Sequence, residues 1–96
     1  MPRLAWSPQA RLDLTRLRAF LSPKNPDAAY RAVRTMQQSL KMLAKHPEIG
    51  RPVPELPTGY REWVIEFGQS AYIALYRHDG KQVTILAIRH GREIGY

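Results

Sequence analysis

The chain contains no cysteine. That excludes a disulfide framework and any thiolate chemistry, and it fits a reducing, cytoplasmic setting. Long apolar runs are also missing. The longest, Ala71–Tyr76, has six residues, against about 20 for a membrane-spanning helix, so no contact with a membrane is expected. The segment Met1–Pro8 lacks the apolar stretch of a secretion signal. The three histidines, His46, His78 and His90, are scattered, with no pair spaced i,i+4 on a helix, so no metal site is expected. No Gly-x-Ser-x-Gly surrounds any of the four serines, and no glycine-rich stretch leads into a helix. An acyl-transfer triad and a phosphate-cradling loop therefore have no foothold, and no cofactor is expected.

Glycine is absent from the first 49 residues, while Pro47, Pro52, Pro54 and Pro57 crowd the middle. These two facts divide the chain into a glycine-free half, a proline-rich connector and a glycine-punctuated half. At 96 residues and 44% hydrophobic, all of it fits one domain, 1–96, with a small core.

The first half predicts two helices. Ser7-Pro8 is an N-cap followed by proline at the first helical position. Ala10, Leu14, Leu17 and Leu21 then form one amphipathic stripe. Asn25-Pro26 repeats the signal, with Asp27 beside the positive helix end. Ala29, Val33, Met36, Leu40 and Leu43 make a second stripe that runs to His46-Pro47. The short linker 22–25 makes the pair an antiparallel hairpin. A short strand is expected at Arg3–Trp6, a loop at 48–60, and three strands near Arg61–Phe67, Ser70–Arg77 and Gln82–His90. Gly68-Gln69 fits a type II′ turn and Asp79-Gly80 a type I′ turn.

Pairing 67 with 70 and 78 with 81 sorts the strands by face. Arg61, Trp63, Ile65, Tyr72, Ala74, Tyr76, Val83, Ile85, Ala87 and Arg89 would face the helices. A two-helix layer covers only one face. Val64, Ile73, Leu75, Leu86 and Ile88 would then form an exposed aliphatic patch, the kind of surface that marks a partner site unless the C-terminal tail folds over it. Arg89, His90, Arg92, Glu93 and Tyr96 gather two guanidiniums, an imidazole, a carboxylate and a phenol. Such groups could serve RNA cleavage, which needs a base, an acid and cations, or they could be a solvated tail.

Element order and local phrases together resemble the RelE/ParE superfamily of type II toxin–antitoxin toxins. The phrases are Pro47-Glu48-Ile49-Gly50-Arg51-Pro52-Val53, Tyr60-Arg61-Glu62, Tyr72–Tyr76 and Ile88-Arg89-His90-Gly91-Arg92-Glu93. The first and last are similar to the ParE-like branch. The resemblance implies an α+β fold, with an N-terminal antiparallel helical hairpin packed on a small twisted antiparallel sheet. It implies a toxin that inhibits DNA gyrase by protein contact, without catalytic residues, neutralised by a ParD-like antitoxin on Val64, Ile73, Leu75, Leu86 and Ile88. The target would be met by Arg89, His90, Arg92 and Tyr96. The alternative is a RelE-like ribosome-dependent mRNA endonuclease using Arg61, Arg89, His90, Arg92 and Tyr96. Against it, Ile73 follows Tyr72 where nucleases of the superfamily carry arginine, and Glu62 and Glu66 stand where they carry cations.

The formal charge is +7. Residues 8–46 hold eight Lys+Arg and two Asp+Glu, whereas residues 47–96 hold six of each. The excess belongs to the helical hairpin, which suits acidic protein partners, with direct nucleic-acid contact secondary. A groove-reading role for the hairpin is disfavoured by its flat antiparallel geometry.

Overall fold

The computed structural model describes residues 2–21, 25–68 and 70–91. In chain order these form β1 (Arg3–Trp6), α1 (Pro8–Leu21), α2 (Pro26–Lys45), β2 (Arg51–Pro52), β3 (Tyr60–Phe67), β4 (Ser70–His78) and β5 (Gln82–His90). The five strands make one sheet in the order β1-β5-β4-β3-β2. The helices lie on one face, giving a two-layer α+β domain. The sheet is mixed rather than wholly antiparallel, because β1 pairs parallel to β5, Arg3 opposite Gln82 through Trp6 opposite Ile85. Part of the expected 48–60 loop is also strand: β2 pairs with β3, Arg51 opposite Glu62.

Both helix starts form as their sequences dictate. The Ser7 hydroxyl oxygen accepts from the Ala10 N–H at 3.0 Å, and the Asn25 side chain accepts from Ala28 N at 3.1 Å. Helix α2 ends where His46 caps it, its N–H donating to the Met42 carbonyl. Ala10, Leu17, Ala32, Met36, Leu40 and Leu43 from the helices meet Ile65, Tyr72, Ala74, Tyr76, Val83, Ile85 and Ile88 from the sheet. Side chains from alanine to tyrosine in size are fully buried together, the close packing by which so short a chain fills a core.

The β3–β4 hairpin is regular from Phe67–Ser70 to Tyr60–Arg77, and Gly68 at its turn has φ +60°. The β4–β5 hairpin departs from expectation twice. A type I′ turn needs positive φ at both central residues, but among the described residues only glycines have it, Gly80 at +93° being the one in this turn. The Asp79 carboxylate instead accepts from the N–H groups of Lys81 at 2.9 Å and Gln82 at 2.8 Å. Those two bonds, Lys81's foremost, hold its pKa below the usual carboxylate value. The turn is wider than two residues, and His78 pairs with Val83. This shift of two leaves the faces unchanged. Further along, the register slips by one: Tyr76 pairs with Ile85 but Leu75 pairs with Ala87. Leu86 is the extra residue of a β-bulge.

A one-residue slip exchanges faces, and it overturns two expectations. Ile88 belongs to the core, at 0% exposure, instead of the aliphatic patch. Ala87 and Arg89 lie opposite Leu75 and Ile73 on the open face, instead of facing the helices. His90 lies opposite Tyr72 on the helix side, the two rings edge to face at 5.3 Å.

Candidate functional site: the open sheet face

The face turned away from the helices carries most of the residues expected to meet a partner. Val64 and Ile73 are cross-strand neighbours on β3 and β4, and Ile73 is opposite Arg89 on β5. Val64 is 52% exposed, and Ile73 is half-buried. Leu75 sits on the same face but is buried at 8% exposure, so it offers a partner little surface. Leu86, at the bulge, is half-buried. The patch is therefore Val64 and Ile73 with the more buried Leu75 on the same face, Leu86 being at the bulge and Ile88 removed from it.

The charges on this face differ from the sequence expectation too. The bulge brings Arg89 onto it. Glu62 does not confront a ligand with a bare carboxylate, because Arg51 donates to its Oε1 through Nε at 3.2 Å and Nη2 at 2.9 Å. A pair of this kind offsets charge but adds little stability, since the arginine side chain is 81% exposed. Arg77 leans toward the Tyr60 ring, 6.0 Å from its centroid.

Of the residues named for RNA cleavage, the three that are described, Arg61, Arg89 and His90, are not brought together. Arg61 faces the helix side, where its Nη1 donates to the carbonyls of Gly50 at 2.7 Å and Glu48 at 3.2 Å. Arg89 is on the open face and His90 is against Tyr72. Arg92, Tyr96 and the tail proposed to cover the patch lie outside the described residues.

The Pro47–Pro52 phrase is a structural clasp. The Tyr76 hydroxyl donates to the Pro47 carbonyl at 2.7 Å and accepts from Gly50 N at 2.9 Å. A Cβ at Gly50 would meet that hydroxyl at 2.6 Å and also the Glu62 carbonyl, so only glycine fits. Burial pushes the Tyr76 phenol above its ordinary pKa, against smaller opposing contributions from the Gly50 amide and Arg61. The buried Tyr72 phenol is raised for the same leading reason.

Asp13 is the residue sequence reasoning missed. It is only 7% exposed, with one oxygen accepting from Ile88 N at 2.9 Å and the other from Gln9 Nε2 at 2.8 Å. Its signal was available: position 13 lies on the inward side of α1, three after Ala10 and four before Leu17, where a carboxylate needs an explanation.

On the opposite side, two adjoining hollows along the cleft between α1 and α2, one of them reaching β1, are lined among the described residues by Arg11, Arg18, Arg34 and Lys41 and by no carboxylate. Among the described residues, no cluster of His, Asp and Glu could hold a metal ion. No described helix is long and apolar enough to cross a membrane.

Comparison with known proteins bears on this geometry. A family described as the ParE toxin of the type II toxin–antitoxin system parDE matches residues 4–95. Toxin RelE3 of Caulobacter vibrioides is 36% identical over 93 residues, covering 97% of this chain and 98% of that protein. Toxin RelE1 of the same organism is 40% identical over 87 residues, covering 91% and 90%. Among solved structures, a chain of the chromosomal ParDE system from P. aeruginosa superposes with a TM-score of 0.77 at 27% identity, covering 94% of this chain and 96% of that one. A chain of the RelBE2 toxin–antitoxin complex from Mycobacterium tuberculosis gives 0.61 at 24% identity, covering 94% and 99%, and so shares the fold.

Proposed function

This chain belongs to the ParE toxin family of type II toxin–antitoxin systems, and from that premise we propose that it inhibits DNA gyrase by protein contact. In the same reading, a ParD-like antitoxin neutralises it by covering Val64 and Ile73 on the open sheet face. That the chain is a toxin of the RelE/ParE superfamily is plain from the family match and its relatives. The choice of gyrase rests on one observation: among the described residues, the groups named for RNA chemistry are dispersed. Arg61 is occupied by two backbone carbonyls, and Arg89 and His90 point to opposite faces. An acid–base pair must converge on one reacting phosphate, so this dispersal supports action by contact. The one-signed cleft between α1 and α2 favours acidic partners and supports the same reading.

A specific observation keeps a second reading, ribosome-dependent mRNA cleavage. The bulge adds Arg89 to the open face, Arg51 compensates Glu62, and the curated relatives carry RelE names. A supercoiling assay with purified gyrase, run beside mRNA cleavage on translating ribosomes, separates the two. Loss of supercoiling with intact mRNA is expected. Codon-specific cleavage with supercoiling untouched would replace the first reading with the second. For the antitoxin surface, Ile73→Glu buries an unpaired charge and is expected to weaken a ParD-like complex by about 3 kcal/mol in calorimetry.

A further inference from the structure

Strand β1 ends at Trp6, yet β5 continues past its partner residue Ile85 to His90. Beyond that point β5 would present an unpaired edge, and buried backbone groups without partners are rarely tolerated. The first two turns of α1 take over from the missing strand. Ser7 N donates to the Ile85 carbonyl at 2.9 Å. The Ser7 hydroxyl donates to the Leu86 carbonyl at 3.0 Å. The Asp13 carboxylate accepts from Ile88 N at 2.9 Å. Six helical residues rise about 9 Å and three strand residues about 10 Å, so the two series of groups keep pace. They straddle Leu86, the bulge residue.

Two features single out Asp13. It occupies a core-facing position on α1, between Ala10 and Leu17, which are 0% and 2% exposed. An apolar side chain would pack there, and aspartate is a weak helix former in a helix interior. Its second oxygen is held by Gln9, which fixes the carboxylate toward the strand. In an unbulged continuation of the Tyr76–Ile85 register, Tyr72 would face Arg89 and the guanidinium would turn toward the helices. In the observed register Tyr72 faces His90, and Arg89 stands beside Ile73 on the open face.

We infer that Asp13 is a positioning residue for the toxin: by holding the Ile88 amide it maintains the bulge at Leu86 that delivers Arg89 to the open face. The functional half of this rests on the reading of Arg89 as a target contact. The structural half stands without it.

The test uses the full chain and three variants, Asp13→Ala, Asp13→Asn and Arg89→Ala, read three ways. Nuclear Overhauser contacts between the α-protons of residue 72 and of residue 89 or 90 report the register. Growth arrest on expression reports toxicity, and calorimetry with a ParD-like antitoxin reports binding. Asp13→Ala is expected to lose the 72–90 contact and at least tenfold in toxicity, and to change antitoxin affinity as well, because an unbulged register sets Ile88 in place of Arg89 beside Ile73. Asp13→Asn keeps an acceptor oxygen and is expected to restore both the contact and the toxicity. Persistence of the 72–90 contact in a folded Asp13→Ala protein overturns the inference. If Asp13→Ala does not fold, a change of register in Asp13→Ser, whose hydroxyl is too short to reach the strand, supports the inference, and an unchanged register there overturns it. Full toxicity of Arg89→Ala would reject the target role of Arg89, while the register measurement still decides the role of Asp13.

Discussion

The two hairpins of the sheet share strand β4 yet obey different rules. In β3–β4, eight consecutive pairs run without interruption from a glycine turn. The face of every residue there follows from the turn and from alternation alone. In β4–β5, an Asx-type turn sets the first pairs, and a bulge then exchanges the faces of everything beyond it. The first hairpin is specified locally. The second is specified partly by α1, whose Ser7 and Asp13 bind a strand more than seventy positions away in sequence. A functional face built across both hairpins thus depends on a helix that contributes no residue to it.

The sharpest way to break this contrast is to put the same charge into each hairpin. Val64→Asp in β3 and Ile88→Asp in β5 would be equivalent if both residues belonged to one exposed patch. With Val64 52% exposed and Ile88 fully buried, Ile88→Asp is expected to cost more than about 4 kcal/mol and to prevent folding. Val64→Asp should stay within about 1 kcal/mol of the parent. Urea titration checks both, and equal losses would reject the bulged register.

The clasp between β4 and the Pro47–Pro52 phrase comes next. Tyr76→Phe leaves the Pro47 carbonyl and the Gly50 amide without their partner, and an expected loss of about 2 kcal/mol follows in the same titration. The phenol also gives a pH signature. Its folded pKa lies above its unfolded value, because burial disfavours the phenolate. Its contribution is therefore complete below the unfolded value near 10 and is lost as pH rises through the folded one. Tyr76→Phe should flatten the alkaline fall in stability without abolishing it, since Tyr72 is raised by burial as well. An identical alkaline limb in parent and variant would contradict this.

The smallest effect belongs to the Arg51–Glu62 pair that ties β2 to the regular hairpin. Arg51→Ala is expected to lower stability by less than about 1 kcal/mol, and 0.5 M salt should erase most of the difference, because the arginine is largely solvated. A larger, salt-insensitive loss would mean that β2 is as integral to the sheet as β5.

Sequence reading went furthest where structure is local. Both helices, their Ser7 and Asn25 caps, strand β1 and the regular hairpin follow from spacing and turn chemistry. It stopped where one element answers to another. Strand β2 is two residues long, one of them proline, too short for any alternation to show. The bulge leaves no local mark, since Leu86-Ala87-Ile88 alternates as well in either register. For the same reason alternation alone sets Ile88 on the open face when it is core, and turns Arg89 toward the helices when it is on the open face. Arg61 reads as a free cation in sequence, and only the tertiary arrangement reveals that two carbonyls of the 48–50 segment engage it. Asp13 came closest to being legible, as a carboxylate inside an apolar stripe, but its partner amide could not be named.

The parallel pairing of the first strand with the last also has a kinetic meaning. Ser7 and Leu86 are 79 positions apart, so α1 cannot find its seat on the sheet until the final strand has been made. Closing so long a loop before its contacts are gained slows folding relative to a chain of local contacts. A growing chain would thus carry its helical hairpin and first meander strands without a finished core until β5 has been made.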